Sequence, residues 1–179
     1  PPEEVPLTLF AGDIRTPRKN LDTVLYYLVQ VPQLNLAVLG GTAGSPYPEL
    51  ARSLKLENRV HFLGFRQDVP DLMKAADFLV FPSRYEPFGL VILEAMATGI
   101  PVITAATTGA AQLVTPDCGI VLPDSDDTLA LAEALHQLVK CDRQQRQQMG
   151  QVARAIAEHH SWANMASNYV NLFEELKPC

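Results

Sequence analysis

Short apolar runs alternate with longer amphipathic stretches from the start of the chain to Pro123. The runs at 7–11 (LTLFA), 34–40 (LNLAVLG), 59–64 (RVHFLG), 77–83 (DFLVFPS), 101–105 (PVITA) and 119–123 (GIVLP) predict strands. Between them, helical spacing predicts helices over 20–30, 47–56, 69–76 and 89–99, and a short one over 109–114. The strands are apolar throughout rather than alternating with polar residues, so both of their faces are buried. Strand and helix in alternation then imply a parallel sheet covered on both sides. The predicted fold is α/β, a Rossmann-like doubly wound parallel sheet of about six strands.

Beyond Pro123 the pattern turns purely helical. Leu129, Ala132, Leu135, Leu138 and Val139 recur at helical spacing in a predicted helix over 126–140. Two further helices are predicted over 141–160 and 161–177, the last with Ser161 as its N-cap. The polar run from Gln144 to Gln148 reads as the solvated face of its helix. Met73 and Met96 read as core filler.

Composition narrows the function. The chain has 179 residues, enough for one domain with a core. Its net charge of −6 speaks against a nucleic-acid partner or adhesion to anionic membranes. Cys118, Cys141 and Cys179 are widely spaced and predict neither a disulfide framework nor a metal cluster. Free thiols fit a cytoplasmic setting. Pro1 in place of an initiator Met leads us to expect a piece of a longer protein.

The candidate chemistry lies in SRYEPFGLVILEAMATGIPVI, residues 83–103. Glu86 falls in a loop leaving the carboxyl end of a parallel strand, the edge where ligands bind in doubly wound sheets. Gly89 permits close approach of the backbone. A helix starting near Phe88 leaves the amides of Phe88, Gly89 and Leu90 free for an anion. Glu94 sits among Leu90, Val91, Ile92, Leu93, Ala95, Met96 and Ala97, so its helix should be buried and its charge should need partners. A ribose, with two adjacent hydroxyls, would satisfy one carboxylate. An internal arginine or backbone amides are the alternative partners. Arg18 and Lys19 lie at a predicted helix N-terminus, where basic residues are unfavourable unless an anion is bound there. The Gly-Gly of LGGTAG is a weak phosphate signal, better read as a tight turn. His61 reads as a core or edge histidine, and His136, His159 and His160 as surface groups. No metal site is expected among them.

EPFGLVILE, with AGDIRTPRKNLDTVL, RVHFLGFRQDVPDLMKAADFLVFPS and EAMATGIPVI, resembles the retaining glycosyltransferases of the GT-B fold that carry an E-x7-E motif. The resemblance runs from about Leu7 to Lys177. It implies that the chain is one half of a GT-B fold, the C-terminal domain that binds a nucleoside diphosphate sugar (UDP-, GDP- or ADP-linked), without a metal. The partner would be an N-terminal domain of the same polypeptide, and the acceptor a glycan, a lipid or a small molecule. A full-length enzyme of this kind would work in the cytoplasm or at the inner face of a membrane. By the same resemblance, Glu94 holds the ribose and Glu86 meets sugar hydroxyls. Lys19 neutralises the diphosphate. The amides of Phe88, Gly89 and Leu90 meet sugar or phosphate, and backbone near Phe65 and Arg66 reads the base. The family's arginine directly after the glycine is absent, since Asp13 follows Gly12, so Arg15 or Arg18 is expected to replace it. Gln112 stands where relatives often carry an acid. Two other readings fit the fold class: a nucleotide-sugar epimerase, and a non-catalytic flavodoxin-like signalling domain. For the latter, Asp13 is the only acid placed comparably.

Overall fold

The structure is a computed structural model and describes residues 5–176. Six strands form one sheet: β1 (Leu7–Ala11), β2 (Asn35–Leu39), β3 (Val60–Gly64), β4 (Phe78–Phe81), β5 (Val102–Ala105) and β6 (Gly119–Leu122). They lie in the order β3-β2-β1-β4-β5-β6, and every pairing is parallel. The order reverses between β1 and β4, which makes their carboxyl ends the topological switch point of a doubly wound sheet.

The helices are α1 (Leu21–Leu28), α2 (Tyr47–Ser53), α3 (Val69–Ala75), α4 (Leu90–Thr98), α5 (Thr128–Lys140), α6 (Arg143–Glu158) and α7 (Trp162–Glu175). Short 3-10 turns cover Pro17–Lys19 and Gly109–Leu113. α1 packs against α2 and α5, and α4 against α3 and α6, the two-layer cover that such a sheet needs. β4 and β5 are buried along their whole length, as their unbroken apolar runs require. Met73 and Met96 are fully buried.

The differences from expectation lie at element ends. α1 starts at Leu21, because Asn20 takes a left-handed conformation (φ 64°) between the 3-10 turn and the helix. α4 starts at Leu90 rather than Phe88. α7 forms where expected, with the Ser161 hydroxyl accepting from the Asn164 amide at 3.2 Å, yet buries no residue. Its Trp162 and Phe173 are exposed. The run of glutamines on α6 is solvated, but Arg146 in its middle is buried. Cys118 and Cys141 are free thiols; Cys179 lies outside the described residues. No helix among the described residues is long and apolar enough to cross a membrane.

Candidate functional site

Three strand-to-helix loops and the first turns of α4 converge at the carboxyl edge of the sheet. They enclose a cleft of about 510 Å³. Gly12, Asp13 and Arg15 line it from the loop after β1, Gly40 and Gly41 from the loop after β2, and Phe65 and Arg66 from the loop after β3. Val91 and Glu94 line it from α4. The loops after β1 and β2 touch so closely that a Cβ on Gly40 would sit 2.2 Å from the carbonyl oxygen of Gly12. Gly40 and Gly41 therefore belong to the cleft wall, contrary to the reading of that dipeptide as only a turn. A larger depression of about 840 Å³ lies against Glu133, His136, Lys140 and Gln145 on α5 and α6. It is shallow and stands apart from the strand ends, so the smaller cleft is the candidate site.

Gly89 caps α4 with φ 93°, a conformation that side-chain-bearing residues rarely adopt. The helix then runs from Leu90 with Ile92, Ala95 and Met96 buried. That spacing defines one inward stripe, and positions 91 and 94 fall outside it. Glu94 is consequently exposed to the cleft, not buried as its apolar neighbours suggest. The apolar character of α4 arises because the cleft wall is itself partly apolar, Val91 being beside Glu94. Its carboxylate has no hydrogen-bond or ionic partner among the described residues. Among the described residues the internal ion pair considered from sequence is not formed.

Lys19 and Glu86 come together from the two loops flanking the switch point and form an ion pair, both side chains mostly buried. Lys19 packs its stem against Gly12, and its ammonium lies 5.0 Å from the centre of the Phe81 ring. Arg18 donates to the Tyr85 carbonyl at 3.2 Å and reaches the same Glu86 oxygen at 3.5 Å. Arg15 instead forms a two-bond fork with Asp13 at 2.8 and 2.9 Å. That fork holds the Asp13 carboxyl at about 2, below its usual value. Of the two candidate arginines, then, Arg18 stands with Lys19, while Arg15 stands in the cleft with its charge matched by Asp13.

The basic turn is held by residues that sequence reasoning did not single out. Buried Asn20 donates from Nδ2 to the carbonyls of Pro82 (2.9 Å) and Ser125 (2.6 Å). Arg84 donates to the Pro17 carbonyl at 2.6 Å and to Asp22 and Asp126. Ser83 donates from its hydroxyl to the Arg18 carbonyl at 3.0 Å. Their partners are 42 to 105 residues away in sequence, so no local pattern announces them. The one available signal was Arg84's place in the stretch 83–103, two residues before Glu86.

Phe65 projects into solvent at the cleft rim, 83% exposed. Arg66 beside it forks onto Asp68 at 2.8 and 2.6 Å, which raises the basicity of the guanidinium and lowers the carboxyl. Phe88, Gly89 and Leu90 stand at the α4 N-terminus, above Glu86. The Phe88 carbonyl accepts from the Ala110 amide at 2.6 Å and the Glu86 carbonyl from Gly109 at 3.0 Å, which ties this loop to the one after β5. His61 is exposed on edge strand β3, away from these groups. Among the described residues no cluster of metal-ligating side chains occurs.

Known proteins share this fold. The chain is 34% identical to a D-inositol 3-phosphate glycosyltransferase of Xylanimonas cellulosilytica, an alignment that covers 97% of this chain and 43% of the relative. The homologous enzyme of Corynebacterium diphtheriae is 36% identical over 88% of this chain and 39% of its own length. Among solved structures, sucrose-phosphate synthase from Thermosynechococcus elongatus superposes with a TM-score of 0.86 at 31% identity, over 98% of this chain and 46% of that one. Anabaena Alr3699/HepE in complex with UDP-glucose superposes with a TM-score of 0.79 at 30% identity, over 95% and 49%. The chain thus spans less than half the length of each of these proteins. The parallel six-stranded α/β fold matches that of GT-B glycosyltransferase structures. The profile of the family described as "Glycosyl transferases group 1" matches residues 1–156, and the chain belongs to that family.

Proposed function

We propose that this chain is the donor-binding domain of a retaining glycosyltransferase, which moves a sugar from a nucleoside diphosphate sugar to an acceptor hydroxyl. The observation that carries the reading is the unpartnered carboxylate of Glu94 in a cleft at the switch point, with a basic turn close by. A free carboxylate there suits the paired hydroxyls of a ribose. Lys19 and Arg18 suit the diphosphate, and the first amides of α4 add the positive end of a helix. Phe65 and Arg66 stand at the rim, where a base would lie. In the transfer step negative charge builds on the leaving diphosphate. Preorganised cations and amides at that point lower the barrier electrostatically, and we assign this role to them without a metal.

UDP is the first donor nucleotide to test, because the Anabaena neighbour was solved with UDP-glucose. The acceptor would be bound by an N-terminal domain of the same polypeptide. Transfer then requires both halves of the cleft, since orienting acceptor against donor supplies much of the rate. The chain alone is expected to bind nucleotide and to transfer no sugar. The family match gives no support to the epimerase or signalling readings. Calorimetric titration with UDP, GDP and ADP, followed by assay of the chain with the matching nucleotide sugar, tests the proposal. Binding of one nucleotide without turnover is the expected result; turnover by the chain alone at the full-length rate would remove the two-domain requirement.

A further inference from the structure

The ion pair of Lys19 with Glu86 has a consequence for which ligand the site retains. Glu86 is fixed through its backbone: its amide donates to the Thr107 carbonyl at 3.3 Å, and its carbonyl accepts from Gly109. The carboxylate at the end of that anchored residue neutralises Lys19 and also meets Arg18. Among the described residues the Lys19 ammonium has no hydrogen-bond partner besides Glu86. A diphosphate that approaches Lys19 must therefore share or displace this carboxylate, and two anions beside one ammonium repel each other.

We propose that Glu86 is a specificity-determining residue that competes with diphosphate for Lys19 and so favours nucleotide sugar over free nucleoside diphosphate. This rests on the donor-binding reading above. A nucleotide sugar brings hydroxyl donors that the displaced carboxylate can accept from, and these offset the lost ion pair. A nucleoside diphosphate has no sugar to offer, so Glu86 returns to Lys19 and the ligand is held less tightly. In a turnover cycle the same competition weakens the hold on product once the sugar has left.

The experiment compares UDP and UDP-glucose binding to the wild-type chain, Glu86→Gln, Lys19→Gln and the double variant. Glu86→Gln should bind UDP roughly three- to tenfold more tightly than wild type, as expected for release of a partly buried ion pair. It should bind UDP-glucose no more tightly than wild type, so the preference for the sugar conjugate collapses. In the Lys19→Gln background the gain for UDP should vanish, which isolates the Lys19–Glu86 coupling. Unchanged or weakened UDP binding by Glu86→Gln overturns the inference, as does an equal gain that persists without Lys19. If Glu86→Gln does not fold, Glu86→Ala takes its place; failure of both shows Glu86 to be structural and also overturns it. Should GDP or ADP be the nucleotide bound, the same comparison is made with it and its glucose conjugate. A wild-type chain that binds none of the three removes the donor-binding reading itself, a result distinct from binding without the Glu86 effect.

Discussion

Lys19 and Arg146 are each only 9% exposed, and each is paired with a carboxylate, but they sit at opposite ends of the sheet. Arg146 of α6 forks onto Asp77, just ahead of β4, at 3.1 and 3.0 Å. It also donates to the carbonyls of Leu138 and Cys141 at the end of α5. The second oxygen of Asp77 accepts from the Leu7 amide at 2.8 Å, where β1 begins. Every partner in this cluster is another part of the fold, and the guanidinium's donors are largely consumed. Lys19 has one carboxylate, on a loop beside the cleft. A buried cation surrounded by its own chain's carbonyls is a clasp. One matched by a single carboxylate at a cleft edge can exchange that partner for a ligand.

The comparison breaks most visibly at Arg146. Arg146→Met should cost about 3 kcal/mol, because Asp77 and two carbonyls lose their partner. Thermal or denaturant unfolding measures this loss. Nucleotide affinity of the folded fraction should not change. The opposite pattern is expected at Lys19. Lys19→Ala should weaken UDP on the order of tenfold or more, as for a lost charge-assisted hydrogen bond of ~1.5–3 kcal/mol. Uridine should bind as before, and the melting temperature should shift little. Equal loss for UDP and uridine would place Lys19 outside the phosphate site.

The smallest effect is expected at Asp13, whose partner Arg15 is largely exposed at the cleft. Its carboxyl, held at about 2 by the Arg15 fork, should remain ionised throughout the neutral and mildly acidic range. The sign follows from the depressed value. The pair's stabilisation is present above the ordinary carboxyl value of 3.8 and is lost as pH falls through about 2. NMR titration of the Asp13 side chain should give a midpoint near 2, and Arg15→Ala should return it toward 3.8.

The sheet was legible in the sequence because parallel strands buried on both faces leave unbroken apolar runs, as in FLVF of β4 and VITA of β5. The E-x7-E spacing singled out both glutamates as candidate site residues. The physical argument for Glu94 was nevertheless mistaken in one respect. An apolar helix suggested burial on all sides, whereas part of α4's apolar surface, including Val91, faces the cleft. What stayed hidden was long-range pairing. Glu86 and Lys19 are 67 residues apart, and Asn20 reaches the Ser125 carbonyl across 105. Side-chain periodicity reports which face of an element is inward, but not which loop will meet it. Nor does the sequence announce that α7 buries no residue.

The central claim is that the free carboxylate of Glu94 receives a ribose. Calorimetric titration of UDP, GDP and ADP into the wild-type chain and into Glu94→Gln, with a melting curve for each, tests it most directly. Glutamine keeps the shape of the side chain, removes its charge and turns one acceptor into a donor. The account predicts saturable binding of one nucleotide to the wild-type chain. It also predicts weakening on the order of tenfold or more in Glu94→Gln, for a charged hydrogen bond of ~1.5–3 kcal/mol, with the melting temperature unchanged. A folded Glu94→Gln chain that binds the same nucleotide as tightly as wild type would contradict it.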